Sequence, residues 1–93
     1  MTTRDEFKER VKKWSEKIQV KFKEIHFRKM SRKWSSCSSR GRLTFDPDIL
    51  EKDIDFQNEA IVHELLHLRY PNHGKMFKQM LKHYLGKTEK INL

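Results

Sequence analysis

The sequence predicts one small domain that combines three helices with about three short strands. Apolar residues recur at helical spacing in three stretches, one near the N-terminus and two toward the C-terminus. Between them lie short segments with strand-like alternation or β-prone residues. With 93 residues, of which 35% are hydrophobic and 37% charged, the chain suffices for a single domain (1–93) with a modest core.

The first helix is predicted from Asp5 to about Gln19. Thr3 precedes this helix and Glu6 follows three residues later, a pattern that predicts a capping box. Lysine and arginine fill the outer faces, and apolar residues at helical spacing form the core face: Phe7, Val11, Trp14 and Ile18.

The segment that follows, residues 20–30, has strand-like alternation. The alternation slips near Glu24, which predicts a β-bulge or a break in the strand there. His26 lies between apolar neighbours and should therefore point to the opposite, solvent-facing side of the strand.

Two shorter strands are predicted at residues 34–38 and 43–45. A turn between them joins the pair as a hairpin, and Gly41 in this turn can adopt a positive φ. Residues 49–55 then form an acidic connector, with one short helical turn near Ile49.

A second helix is predicted from Phe56 to about Tyr70. It is apolar on most sides and should therefore be the central buried element of the domain. Pro71 disfavours helical geometry at the residue before it and ends this helix.

The third helix is predicted from about His73 to Leu85, with Asn72 as its cap. Its apolar stripe contains Phe77, Met80, Leu81 and Tyr84. Gly86 should stop the helix, and residues 87–93 are read as a tail.

The second helix carries the pattern His63-Glu64-Leu65-Leu66-His67. Residues four apart share one helix face, so two imidazoles can bind one metal ion while Glu64 projects beside them toward a bound water. This is the HExxH arrangement of zinc hydrolases. Polar groups in so apolar a helix are costly unless they are used or paired, which favours a site over a surface helix with satisfied histidines.

A third histidine, His73, follows after a sharp turn. Three protein ligands and one open position are typical of a catalytic zinc site, where the pKa of a bound water falls toward about 7. The sequence thus predicts Zn²⁺ held by His63, His67 and His73. Glu64 is placed to accept a proton from that water and to pass it to a leaving amine. His83, further along the chain, is the alternative third ligand.

Several nearby residues have two interpretations. Cys37 is read as a small buried thiol in the hairpin, with a metal-ligand role as the less favoured alternative. Glu59 lies four residues before His63 and either orients that histidine or has a capping or surface role. The sequence does not choose among four candidates to stabilise a tetrahedral intermediate: Arg69, Tyr70, His83 and Tyr84.

Charge is unevenly distributed along the chain, whose net charge is +8. Residues 1–42 carry 14 Lys/Arg against 5 Asp/Glu, residues 43–74 carry 2 against 7, and residues 75–93 carry 5 against 1. Basic flanks can attract nucleic acid or acidic protein. No nucleic-acid motif accompanies the charge, so a well-solvated surface is favoured and a nucleic-acid partner is the alternative.

Composition also bears on the compartment. No apolar run approaches the roughly 20 residues of a membrane span, and the N-terminus lacks the hydrophobic segment of a secretory signal. The single cysteine excludes an internal disulfide and suits a reducing interior. We expect a cytoplasmic protein with no membrane partner.

From these residues the chain resembles the HExxH zinc metallopeptidases of the gluzincin type, and more closely the minigluzincins. That family has histidine as its third zinc ligand, which matches His73. The chain is also similar to YgjP-like metal-dependent hydrolases, which usually have Gly where Ser35 stands and Asn where Asp46 stands. The similarity lies in four segments: 34–38, 41–46, 61–68 and 72–74.

The resemblance implies an α+β fold: an N-terminal helix, a small three-stranded twisted sheet, the HExxH active-site helix and the C-terminal third-ligand helix. It implies that a substrate peptide lies extended along the sheet edge beside the metal, by strand addition. It also implies a latent form, in which the segment after Tyr84 blocks the cleft within one molecule or by exchange between two.

A zinc metalloendopeptidase, stored as a zymogen, is therefore the favoured function, acting as a monomer or as a dimer through the exchanged segment. A YgjP-like hydrolase of a nucleotide or small substrate is the alternative on the same scaffold. A basic nucleic-acid-binding domain with structural zinc is the third interpretation.

Overall fold

The computed structural model describes residues 1–86, and the predicted tail, residues 87–93, lies outside the described residues. The chain has an α+β fold, as predicted, with three helices and a three-stranded mixed sheet. No described helix combines the length and the apolar composition that a membrane span requires. The elements are α1 (Arg4–Ile18), β1 (Glu24–Phe27), β2 (Ser35–Cys37), β3 (Arg42–Phe45), a 3₁₀ turn (Pro47–Glu51), α2 (Ile54–Leu66) and α3 (Lys75–Leu85).

The N-terminus of α1 is fixed by the predicted capping box. The Thr3 N–H donates to Glu6 Oε1 at 2.8 Å, and the Glu6 N–H donates to Thr3 Oγ1 at 3.1 Å. The helix ends at Ile18 because Gln19 adopts the left-handed conformation, with φ of 64°. The apolar face predicted for this helix packs into the core.

Strand β3 is the centre of the sheet, with β1 parallel on one side and β2 antiparallel on the other. The predicted hairpin is confirmed, and Gly41 has a positive φ of 93°. The predicted strand over residues 20–30 is too long, because β1 begins only at Glu24 and ends at Phe27. Just before β1, the Lys23 N–H donates to the Gly41 carbonyl at 2.8 Å, and this bond brings the chain alongside the start of β3.

Helix α2 ends at Leu66, so the predicted end near Tyr70 is wrong. The N–H groups of residues 67–69 donate to carbonyls three residues earlier, at 3.0–3.2 Å. These bonds tighten the chain into 3₁₀-type turns just before Pro71. His67 is consequently the C-cap of α2 and keeps helical backbone angles.

The start of α3 also differs from the prediction. The helix begins at Lys75 instead of His73, and its N-cap is Gly74, without a side-chain hydrogen bond. Asn72 does not cap the helix, because it lies two residues before the N-cap position. The predicted stop is confirmed, with Gly86 in the left-handed conformation at a φ of 71°.

Helix α2 is the central buried element, as predicted, and contacts α1, α3, β2 and the 3₁₀ turn. Its burial on all these sides fixes its direction and therefore the direction of the polar groups that it carries. The fully or nearly fully buried core consists of apolar side chains from every layer: Phe7, Val11, Ile18, Leu43, Phe45, Ile49, Leu50, Ala60, Ile61, Val62, Leu65, Leu66, Phe77 and Leu81.

Asp46 ends the hairpin and caps the 3₁₀ turn. Its Oδ2 accepts from the Met30 N–H and its Oδ1 from the Asp48 N–H, both at 2.9 Å. Burial acts to raise the pKa of this carboxyl, but the two N–H groups and the nearby Lys29 outweigh it and lower the pKa below its usual value. The charged form therefore stabilises the folded state.

Replacing Asp46 with alanine should lower the free energy of unfolding by about 1–2 kcal/mol at neutral pH, because two N–H groups lose their acceptor. The folded pKa is depressed, so the contribution is present above the unfolded value of about 3.9 and is lost as the pH falls through the folded pKa. Denaturant unfolding at neutral pH and near pH 3 measures this difference. Asp48→Ala, at a half-exposed position, is the control with a smaller effect, and an Asp46 effect independent of pH would contradict the prediction.

Candidate metal centre

Three histidines converge at the C-terminal end of α2. His63 lies in its last turns, His67 is its C-cap, and His73 lies in the connection before α3. The spacing of four residues puts the first two on one helix face, and the turn through Pro71 returns the third to them. The structure therefore brings together the three predicted histidines, and the group does not include His83.

The three Nε2 atoms form a nearly equilateral triangle. The His63–His67 distance is 3.1 Å, the His63–His73 distance is 3.2 Å and the His67–His73 distance is 2.9 Å. Zn–N bonds of about 2.0–2.1 Å in tetrahedral geometry separate the nitrogens by about 3.3 Å, so only a slight expansion is needed. Within residues 1–86 these three histidines are the donors of the group, and the set fits an imidazole-preferring metal ion such as Zn²⁺.

The surroundings favour the neutral imidazoles that metal coordination requires. The pKa of His63 is lowered to about 4, chiefly by burial and then by His73, against an opposing effect of Glu59. Burial, followed by the other two histidines, also lowers the pKa of His67. The Nδ1 of His67 lies 3.3 Å from the Tyr70 carbonyl. A proton on Nδ1 donated to this carbonyl leaves the Nε2 lone pair facing the other histidines.

Phe77 packs against all three imidazole rings. Its ring centroid lies 5.1 Å from that of His63 and 4.8 Å from those of His67 and His73, with the His67 ring stacked upon it. The helical spacing of α3 predicts Phe77 as a core residue, which its 2% exposure confirms. The same buried ring restricts the orientation of the three histidines.

Glu64 is buried and bound to a hydroxyl of the sheet. The Ser35 Oγ donates to Glu64 Oε2 at 2.6 Å, and both residues are at most 2% exposed. A charge-assisted bond of this length fixes one carboxylate oxygen in place. Sequence reasoning gave Ser35 no role, and the only signal was that YgjP-like proteins usually have Gly at this position.

A cleft of about 430 Å³ opens over the histidines. Strand β2 and its flanks form one wall, and the end of α2 with the following turn forms the other. The lining residues are Lys33, Ser35, Ser36, Cys37, Ser38, Ser39, His63, Glu64, His67, Leu68, Pro71 and His73.

Strand β2 is an edge strand in the sheet of the described residues. The residues that flank β2 bind the chain of β3: the Trp34 carbonyl accepts from the Asp46 N–H, and the Ser38 N–H donates to the Arg42 carbonyl. Antiparallel pairing alternates, so the backbone N–H and C=O groups of Ser35 and Cys37 point away from β3. The cleft wall therefore presents backbone groups to which an extended peptide can bind.

The other candidate residues have different surroundings. Cys37 lines the cleft but is not part of the three-histidine group, and burial, followed by the charge of Glu64, raises the pKa of its thiol to about 11. Glu59 is buried one turn before His63, and its charge acts to raise the pKa of His63. A role for Glu59 in orienting that histidine stays a prediction. The four candidates for stabilising a tetrahedral intermediate do not line this cleft, and Arg69 donates to the Gln19 carbonyl instead.

Three convergent imidazoles beside a buried carboxylate, on an α+β scaffold in which an edge strand of the described sheet lines the cleft, are typical of metal-dependent peptidases. Sequence comparison agrees with this class. The family model described as "YgjP-like, metallopeptidase domain" matches residues 2–92. The chain therefore belongs to the YgjP-like metallopeptidase domain family.

The fold is also similar to a solved structure, the crystal structure of the metallopeptidase zymogen of Pyrococcus abyssi abylysin. The TM-score is 0.74, and the match covers 82% of this chain and 76% of that chain, at 18% sequence identity. At this identity the similarity shows the fold alone. No curated protein matches the sequence.

Proposed function

We propose that this protein is a zinc-dependent endopeptidase. His63, His67 and His73 hold the metal, and Glu64 acts as the catalytic base and acid. The observation that carries the proposal is the triangle of Nε2 atoms beside a buried carboxylate in one cleft. Zinc is the metal that three neutral imidazoles with one open position favour. A cytoplasmic location, which suits a chain with one cysteine, is part of the proposal.

The roles of the chain's own groups follow from their positions. A substrate peptide adds to β2 as an extended strand and binds the backbone groups of Ser35 and Cys37. Glu64 accepts a proton from the attacking water and delivers it to the leaving nitrogen as the peptide bond breaks. The Ser35 hydroxyl holds one oxygen of this carboxylate during both steps. A bound metal supplies the Lewis acidity that polarises the carbonyl and acidifies the water.

Metal-dependent cleavage of peptides tests the proposal. Protein stripped with a chelator should leave a casein pool intact, and the same protein reloaded with Zn²⁺ should cleave it. Nucleoside triphosphates, incubated in parallel, should survive, because their hydrolysis is the alternative activity on this scaffold. Metal-dependent hydrolysis of the triphosphates, with casein left intact also by protein truncated before Gly86, would replace the peptidase proposal.

Latency is the second part of the proposal. The abylysin structure is that of a zymogen, and the segment of this chain after Tyr84 is the candidate blocker. Removing the residues from Gly86 onward should raise cleavage by about tenfold or more, if a closed form dominates the full chain. Light scattering on the full chain distinguishes a blocked monomer from a dimer with exchanged segments. A folded, zinc-loaded truncated chain without any peptidase activity would count against latency.

A further inference from the structure

The charge inside the cleft is asymmetric. Among its lining residues, Lys33 is the one lysine or arginine and Glu64 the one aspartate or glutamate. Glu64 is buried and bound by the Ser35 hydroxyl, whereas Lys33 is exposed. A divalent ion on three neutral histidines would add further positive charge. A ligand entering this cleft therefore meets an accessible cation and a largely covered anion.

Lys33, like Arg28, Arg32 and Arg40, forms no salt bridge with a described carboxylate, whereas Lys29 and Arg42 do. Lys29 Nζ lies 2.5 Å from Asp48, and Arg42 Nε lies 2.7 Å from Glu24. Within residues 1–86, no carboxylate lies within salt-bridge distance of Lys33. A cation that no internal carboxylate neutralises is available to a carboxylate of the ligand.

The position of Lys33 relative to β2 predicts which part of a peptide it would contact. Its Cα lies at most about 7 Å from that of Ser35, two residues along the chain. An extended peptide beside β2 advances by about the same distance in two residues. Because Lys33 lines the cleft, its ammonium group would lie near a side chain about two residues from the peptide bond beside Ser35. The other end of this wall presents the uncharged Ser38 and Ser39.

We propose that the cleft selects acidic peptides and that Lys33 recognises an Asp or Glu side chain about two residues from the scissile bond, on one side of it only. The inference rests on the proposed function for the kind of ligand, a peptide bound along β2. What the inference adds is a difference in affinity between acidic and basic peptides. Lys33 is in this sense a specificity-determining residue with no part in bond cleavage.

Binding of paired peptides to the full chain tests this claim. Zinc-loaded protein with Glu64→Gln retains a bound peptide uncut, and fluorescence anisotropy follows two labelled peptides of equal length. In one peptide the residues two positions from the central bond carry Asp or Glu, and in the other they carry Lys. The acidic peptide should bind about fivefold tighter or more at low salt. Lys33→Glu should invert this ratio, and Lys13→Glu, the same charge change on the exposed side of α1, should preserve it.

Every outcome of this comparison decides between the alternatives. A ratio near one, no binding of either peptide, or an equal response to Lys33→Glu and Lys13→Glu would overturn the inference. A segment of the chain that competed for the cleft would weaken both peptides by the same factor and leave their ratio unchanged. Digestion of both peptides by protein with Glu64 intact separates the two proposals. Selective binding without any cleavage would refute the peptidase function alone, and cleavage without selectivity would refute the role of Lys33 alone.

Discussion

Replacing Glu64 with glutamine should reduce peptide hydrolysis by about a thousandfold and leave metal binding nearly unchanged. The amide is close in shape to the carboxylate but cannot accept the proton of the attacking water, and general acid–base catalysis contributes about 10²–10⁴-fold. The metal remains because the three Nε2 atoms that face each other belong to other residues. Steady-state cleavage of one peptide, together with zinc content per chain, measures both parts. Full activity of a zinc-loaded Glu64→Gln protein would refute the catalytic role.

Substitutions of Ser35 should distinguish the positioning of the Glu64 carboxylate from the proton transfer that this carboxylate performs. Ser35→Ala removes the hydroxyl that donates to Glu64 Oε2, so the carboxylate is less well oriented and kcat should fall by about tenfold with little change in KM. Ser36→Ala is the matched control, because Ser36 is adjacent on β2 and has no such bond to Glu64 among the described hydrogen bonds. Ser35→Thr retains a hydroxyl and should recover part of the rate. Equal losses at Ser35 and Ser36 would instead indicate a general effect on β2.

The candidate site was predictable where its geometry is local. His63 and His67 are four residues apart on a helix, so their shared face follows from helical periodicity alone. His73 required only a turn, which Pro71 predicts. The bond between Ser35 and Glu64 joins residues 29 positions apart, and no periodicity links them. Contacts of this kind depend on how β2 packs against α2, which the sequence pattern does not specify.

The fold shows the same division between local and long-range information. The capping box of α1, the left-handed Gly86 and the hairpin turn at Gly41 are local signals, and all three are confirmed. The parallel pairing of β1 with β3 brings together residues 18 apart, and alternation alone cannot reveal it. The end of α2 is misplaced because the helical pattern of apolar residues continues through the 3₁₀ turns, while the backbone does not. The start of α3 is misplaced because Asn72 has the residue type of a cap, whereas the N-cap is Gly74, which has no side chain to signal it.

Replacing His73 with alanine should weaken zinc binding by at least about a hundredfold and abolish peptide hydrolysis. His73 supplies one of three converging nitrogens, and the two that remain, on His63 and His67, cannot complete the predicted set. A hundredfold loss of affinity corresponds to about 2.7 kcal/mol of the stability that zinc confers on the folded chain. Competition with a chromogenic chelator measures the affinity. Thermal unfolding with and without zinc measures the stabilisation.

His83→Ala is the matched control for this prediction, since it removes the other histidine that the sequence offers as a third ligand. His83 packs against Tyr84 and is not part of the three-histidine group, so its loss should leave zinc affinity and zinc-dependent stabilisation unchanged. A two-ligand site would bind zinc equally well with or without His73, and a site completed by His83 would reverse the order of the two variants. Either result would remove the three-imidazole centre on which the proposed peptidase activity depends. The predicted order, with a large effect at His73 and none at His83, follows from their placement before α3 and within it.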